Sequence, residues 1–139
     1  MGYRMNLRNC DFVIKNNNKV EIFNLSKEIL LEKVVDRWLP ESKWDNYAWV
    51  DTSEIKKAKN VEDLLRAFRW NPEIDENEDI VDLYFTGEKL GDDEFLFNVI
   101  ASGVESGSYI EMQGEDGTIW RWCFNDGKCE EKLAKIVFE

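Results

Sequence analysis

Hydrophobic residues recur at two different spacings in the first half of the chain. Residues 10–15 (CDFVIK) predict a short strand, and residues 19–38 predict a helix. Its apolar positions are Val20, Phe23, Leu30, Leu31 and Val34. We expect the three asparagines at 16–18 to cap this helix and Pro40 to end it. Residues 47–50 (YAWV) predict a second strand.

Three later helix starts carry polar residues suited to capping. The DTS run at 51–53 precedes a helical turn through residue 58, and Asn60 precedes VEDLLRAFRW, with Asp63 at the third helical position. The apolar stripe of that helix is Val61, Leu64, Leu65 and Phe68. The DDE run at 92–94 begins another helix, which Gly103 ends, because acidic residues complement the positive end of the helix dipole.

Strand patterns dominate the rest of the chain. Residues 70–74 and 80–85 predict a hairpin joined by an acidic loop at 75–79. A three-stranded meander is predicted over residues 108–113, 118–124 and 129–138, with turns at GEDG and NDG. The pattern therefore predicts one α+β domain over residues 1–139, in which about three helices pack on an antiparallel sheet.

The turn of the last hairpin sets its register. A three-residue NDG loop places Cys123 opposite Cys129 and Arg121 opposite Glu131. A two-residue turn instead places Arg121 opposite Lys132, which is unfavourable. We therefore expect the three-residue loop, with the two cysteines as neighbouring reduced thiols and a disulfide between them as the less favoured alternative.

Alternation along this meander puts Tyr109, Trp120, Trp122 and Phe124 on one face, beside Glu111 and Gln113. Two interpretations remain open for these aromatic residues. They either form core beneath a helix or make an exposed aromatic patch with an acidic rim, which is typical of protein interfaces.

Composition removes several classes of function. The chain has no histidine and three cysteines, which excludes imidazole catalysis and zinc sites that need a histidine ligand. The odd cysteine number fits a reducing compartment, and no signal-like or spanning apolar run occurs. We expect a cytoplasmic protein that uses no cofactor and no membrane.

Charge is divided unequally between the two halves. The net charge is −11; residues 1–70 hold 13 Lys and Arg against 11 Asp and Glu, whereas residues 71–139 hold 5 against 18. The halves therefore carry +2 and −13. A protein that contacts nucleic acid directly through a basic face is excluded, because phosphate binding needs clustered cations.

Two acidic motifs resemble metal sites. The D-x-N-x-D run at 75–79 begins like a calcium loop, but Ile80 stands where glycine is needed and Thr86 where a bidentate glutamate is needed. Asp116, Glu130 and Lys132 are similar to the D…E-x-K set of metal-dependent nucleases, which we keep as the less favoured enzymatic alternative.

The strings YFTGEKLGD, GSYIE and GEDGTIWRW carry a resemblance. This part of the chain resembles small, acidic, uncharacterised proteins encoded by phages and mobile elements of Gram-positive anaerobes. The strings are turn and strand signatures, so no functional residue transfers with them. The resemblance implies a setting in which small proteins without enzyme motifs inhibit host defence, as anti-CRISPR proteins do.

We therefore expect a non-enzymatic inhibitor that binds a host nuclease or CRISPR-associated complex by acidic mimicry of nucleic acid. The alternative is an immunity-type protein that neutralises a toxin nuclease. The oligomeric state stays open. The residues predicted to bind the partner are Asp75, Glu76, Glu78, Asp79, Asp82, Asp92, Asp93, Glu115, Asp116, Tyr109, Trp120 and Trp122.

Overall fold

Six strands form two antiparallel sheets in the computed structural model, which describes residues 2–35 and 49–138, with the backbone alone at 33–35. The strands are β1 (Met5–Asp11), β2 (Trp70–Ile74), β3 (Ile80–Phe85), β4 (Tyr109–Gly114), β5 (Ile119–Asn125) and β6 (Lys128–Leu133). The larger sheet has the order β1-β4-β5-β6, and β2 pairs with β3. The predicted α+β class and the C-terminal meander are confirmed.

Within these described ranges, four helices accompany the sheets: α1 (Lys19–Val35), α2 (Thr52–Lys57), α3 (Val61–Ala67) and α4 (Asp93–Ile100). The predicted caps of α2 and α3 are confirmed, because the side chain of Asp51 accepts from the Ser53 N–H and that of Asn60 accepts from the Asp63 N–H. A 3-10 turn at Ala101–Gly103 follows α4, as the predicted stop at Gly103 requires.

The start of α1 is capped differently from the prediction. Asn16–Asn18 form a 3-10 turn that runs into the helix and makes no side-chain cap of its own. The carboxylate of Asp79, from the acidic loop, accepts the Asn16 N–H instead at 2.7 Å. Among the described side chains of α1, those of Lys19, Ile22, Ser26 and Leu30 are buried, whereas Val20 is 72% exposed and does not belong to the core stripe. The predicted end of this helix at Pro40 lies outside the described residues.

Strand β1 lies earlier than the predicted residues 10–15. A bulge between Leu7 and Asn9 shifts the register of β1 against β4. The alternation of buried and exposed side chains is therefore interrupted within the strand, and the sequence pattern does not reveal the strand. In the described part of the predicted segment that follows Asp11, the strand pairing is limited to an isolated bridge between Ile14 and Ile80. Of the predicted strand at 47–50, residues 47 and 48 lie outside the described residues, and 49 and 50 belong to no strand.

The expected register of the last hairpin is wrong. Asp126 and Gly127 form a two-residue turn with φ of +53° and +76°, as a type I′ turn requires. Arg121 consequently lies opposite Lys132. The like charges are tolerated because the Arg121 guanidinium donates to Glu111 at 2.8 Å, on the other neighbouring strand.

The predicted grouping of the aromatic residues is also wrong, because even-numbered residues of β4 lie opposite even-numbered residues of β5. Trp122 lies opposite Ile110 and Trp120 opposite Met112, so both indoles share the core face. They are 1% and 5% exposed, and the interpretation as core is therefore confirmed. Tyr109 and Glu111 lie on the opposite, outer face of the sheet.

Aromatic rings connect the two sheets inside the core. The centroid of Phe97, from α4, lies 5.2 Å from the Trp70 ring and 5.1 Å from the Trp122 ring. The Phe12 ring meets Phe124 edge-on at 5.5 Å. Such pairs add specific geometry to the burial of apolar area, and they fix the β2–β3 hairpin against the larger sheet.

Asp93 at the start of α4 is a buried charge at the junction of these parts. Its carboxylate accepts from the Trp70 indole N–H at 2.8 Å, the Gly91 N–H at 2.9 Å and the Arg69 guanidinium at 3.1 Å. Burial raises the pKa of Asp93, and the bonds from these three donors oppose that rise. The predicted role of Asp93 in binding a partner is corrected, since its side chain is fully buried.

The exchange Asp93→Asn should destabilise the fold by about 3 kcal/mol, because it leaves the Arg69 guanidinium without its countercharge. Urea denaturation followed by tryptophan fluorescence measures this loss. The neighbouring, exposed Glu94→Gln variant is the control and should change the free energy of unfolding by less than about 0.5 kcal/mol. Equal stability of the two variants would contradict the role of Asp93.

All three cysteines are free, and Cys129 lies opposite Phe124 rather than opposite Cys123, which corrects the predicted neighbouring thiols. Burial raises the pKa of Cys10 to about 12 and that of Cys129 to about 12. Both thiols therefore keep their protons in the folded protein at pH values where those of the unfolded chain ionise.

Stability should consequently fall as the pH rises above 9. The ordinary thiol pKa of 9.0 applies to the unfolded chain, so the folded protein binds more protons between that pH and about 12. Urea midpoints measured from pH 8 to 11 should decline less steeply for the Cys10→Ala/Cys129→Ala variant than for the parent. Identical slopes would show that these thiols are not protected by burial.

Candidate interaction surface

The acidic loop between β2 and β3 has a defined backbone conformation. One carboxylate oxygen of Asp75 accepts the N–H groups of Asn77 at 2.9 Å and Asp79 at 3.0 Å. Backbone bonds from Glu78 N–H to Asp75 and from Asp75 N–H to Asp79 close the loop. Asp75 thus organises the loop by binding backbone donors.

Asp79 attaches this loop to the beginning of α1. One oxygen accepts the Asn16 N–H, and the other lies 3.7 Å from the Lys15 ammonium. Asp75 and Asp79, both predicted to bind a partner, therefore hold the loop in place. The side chains that point outward from it are Glu76 and Glu78.

Two further carboxylates extend this acidic set along the hairpin. Asp82, predicted from the sequence, is half-buried and lies directly opposite the exposed Glu73 of β2. Glu73 is absent from the predicted set, because a register shift between Glu73 and Ile74, rather than the predicted strand boundaries, places it opposite Asp82. We call Glu73, Glu76, Glu78 and Asp82 the hairpin carboxylates.

A shallow groove of about 300 Å³ borders Glu78, one of the hairpin carboxylates, on the side of α1. Glu78 lines one wall, and the exposed Val20 and half-buried Phe23 line another. Asn24 and Lys59 contribute polar groups. The groove therefore places apolar side chains next to carboxylates, a combination that a protein partner can use for both contact and orientation.

The other predicted acids lie at the opposite end of β1. Glu115 accepts the Arg4 N–H at 2.9 Å, and Asp116 accepts the Tyr3 hydroxyl proton and the Thr118 N–H. These bonds lower the pKa of Asp116. The acidic loop, by contrast, lies near Asn16, beyond the other end of β1. The seven residues of this strand span about 23 Å. The predicted acidic residues do not form one surface.

The helix start and the aromatic residues are also distributed differently from the prediction. Asp92 is half-buried at the beginning of α4, next to the buried Asp93. Trp120 and Trp122 are core residues, which removes them from any exposed patch. Tyr109 is half-buried on the outer face, where the Arg121 guanidinium lies 4.2 Å above its ring.

Basic residues concentrate on this outer face of the larger sheet. Arg121, Lys128 and Lys132 are three of the five basic residues in the second half of the chain, and Arg8 joins them from β1. Glu111 lies between Arg8 and Arg121, and their hydrogen bonds lower its pKa. The negative excess of this half therefore lies away from the outer face.

The residues of the nuclease alternative do not assemble into a metal site. Asp116 lies in the β4–β5 turn, whereas Glu130 and Lys132 lie on β6 opposite Cys123 and Arg121. Within residues 2–35 and 49–138, no three Asp, Glu, His or Cys side chains are grouped so that they can hold a metal ion.

No family model matches this chain, and neither the curated proteins nor the solved structures that were compared gave a match. In the same described ranges, no helix has the length and apolar character that crossing a membrane requires.

Replacing Asp75 tests whether hydrogen bonding organises the loop. Asp75→Ala removes the acceptor for two N–H groups and should speed hydrogen exchange at Asn77 and Asp79 about 5-fold each, since each bond contributes about 1 kcal/mol. Asp75→Asn keeps the acceptor oxygen but removes the charge, and should leave both amides protected. If the two variants exchanged equally fast, charge rather than hydrogen bonding would organise the loop.

Proposed function

We propose that this protein is a non-enzymatic inhibitor that binds a nucleic-acid-handling effector through the hairpin carboxylates. The observation that carries the proposal is that the carboxylates of the β2–β3 hairpin have two different roles. Asp75 and Asp79 fix the loop, whereas Glu76 and Glu78 on the loop and Glu73 at the end of β2 are exposed.

A fixed acidic loop suits a groove that normally binds phosphates. The phosphate-binding groove of the effector presents Lys and Arg side chains at defined places. Carboxylates that are already positioned on this protein lose little conformational entropy when they bind those side chains. The surrounding negative charge adds long-range attraction, which raises the association rate. The resemblance to small phage and mobile-element proteins favours a defence effector, such as a CRISPR-associated complex, as the target.

The groove beside the hairpin supports a protein partner over a small ligand. Val20 is exposed and Phe23 is half-buried there, so apolar area is available next to Glu78. Phosphate mimicry supplies rate and orientation, whereas such apolar contact supplies affinity that does not depend on salt.

Reversing the exposed carboxylates tests the proposal. Cells with an active CRISPR–Cas system should lose interference against a targeted plasmid when they express the parent protein. The Glu73→Lys/Glu76→Lys/Glu78→Lys variant should restore interference, because it repels a groove built for phosphates. These positions leave Asp75 and Asp79 intact, so the loop keeps its conformation.

A matched control distinguishes the effect of reversing charges on the hairpin from the effect of changing the net charge of the protein. Glu28, Glu32 and Glu54 are exposed on α1 and α2, and reversing them to lysine changes the net charge equally. This control should inhibit like the parent. Equal loss of inhibition by both triple variants would argue against a hairpin contact, and full interference with the parent protein would argue against the target class.

A further inference from the structure

The outer edge of β6 lacks a strand partner within residues 2–35 and 49–138. The chain that follows it, residues 134–138, belongs to no helix or strand. Leu133, Ile136, Val137 and Phe138 are 65%, 85%, 77% and 92% exposed. An open edge followed by exposed apolar residues is a template for the addition of another strand.

The hydrogen-bond pattern shows which residues face this edge. The Ala134 N–H donates to the Ile119 carbonyl of β5 at 2.9 Å. Because bonding direction alternates along an antiparallel strand, the odd-numbered residues direct their N–H and C=O groups away from β5. These are Cys129, Glu131 and Leu133, followed by positions 135 and 137.

We propose that a second copy of this chain occupies the edge. Residues 128–138 of the two chains pair antiparallel about a two-fold axis at Leu133, and the two four-stranded sheets become one sheet of eight strands. The interface is isologous, as in most homodimers.

Charge complementarity favours this register, because it pairs opposite charges and brings no like charges together. With the axis at Glu131, that carboxylate meets its own copy, and with the axis at Lys132 two ammonium groups meet. Like charges directly opposite are destabilising. With the axis at Leu133, Glu131 meets Lys135 twice and no like charges face each other.

The same register pairs apolar residues that are otherwise exposed. Leu133 meets its own copy, and Val137 meets Cys129. On the other face of the strand, Ile136 and Phe138 lie beside the aliphatic stems of Glu130 and Lys128, which can cover apolar surface. Complementarity of the segment with itself favours a second copy over an unrelated strand.

A charge-swap series tests the proposal, with sedimentation equilibrium over micromolar to near-millimolar concentrations as the measurement. The parent should be a dimer, and Glu131→Lys and Lys135→Glu should each weaken it at least about 10-fold. The double variant Glu131→Lys/Lys135→Glu should regain the parent affinity. The control Glu130→Lys makes the same charge change opposite Ile136 and should leave the dimer intact.

Disulfide trapping tests the axis directly. In a chain with Cys10, Cys123 and Cys129 replaced by serine, Leu133→Cys should crosslink on oxidation, because facing Cα atoms in a hydrogen-bonded pair are about 5.5 Å apart. Lys132→Cys is the control and should crosslink poorly, since its two copies are displaced from the axis.

Three results would overturn the proposal. One is a parent that stays monomeric at every concentration, and another is a dimer that the single charge reversals leave unchanged. The third is a monomeric chain whose β6 edge binds a strand from a different protein.

Discussion

The arrangement of the two sheets depends on the hydrogen bonds of the buried Asp93 carboxylate. This carboxylate binds the Trp70 indole at the start of β2 and the guanidinium of Arg69, whose backbone has a left-handed φ of +72°. The Arg69 carbonyl in turn accepts from Thr86 just after β3. One carboxylate therefore holds both ends of the hairpin against α4. The hairpin can extend its acidic loop into solvent because its base is fixed in the core.

Carboxylates in this protein consequently serve two different purposes. Asp75, Asp79 and Asp93 accept backbone or side-chain donors and stabilise local geometry. Glu73 and Glu76 are exposed and contribute to the charge of the hairpin surface. The net charge of −11 describes their sum, and only the hydrogen bonds distinguish the carboxylates that are available for recognition.

Local signals explain which parts were predictable from sequence. The caps at Asp51 and Asn60 and the boundaries of the β2–β3 hairpin depend on neighbouring residues, and all were predicted. The β5–β6 register was not, because the Arg121 charge is balanced by Glu111 from a strand that is distant in sequence. The bulge in β1 and the burial of Asp93 likewise depend on tertiary contacts. Of the candidate surface, the acidic loop was predicted, but the separation of Glu115 and Asp116 from it required the topology.

The most direct test of the proposed recognition is the ionic-strength dependence of association with an effector of the target class that we propose. Carboxylates presented on a fixed hairpin should make the association rate constant fall about 10-fold or more between low and moderately high salt, while dissociation changes little. Stopped-flow or surface-based kinetics at several salt concentrations measures both rates. An association rate that is independent of salt would contradict recognition through the hairpin carboxylates.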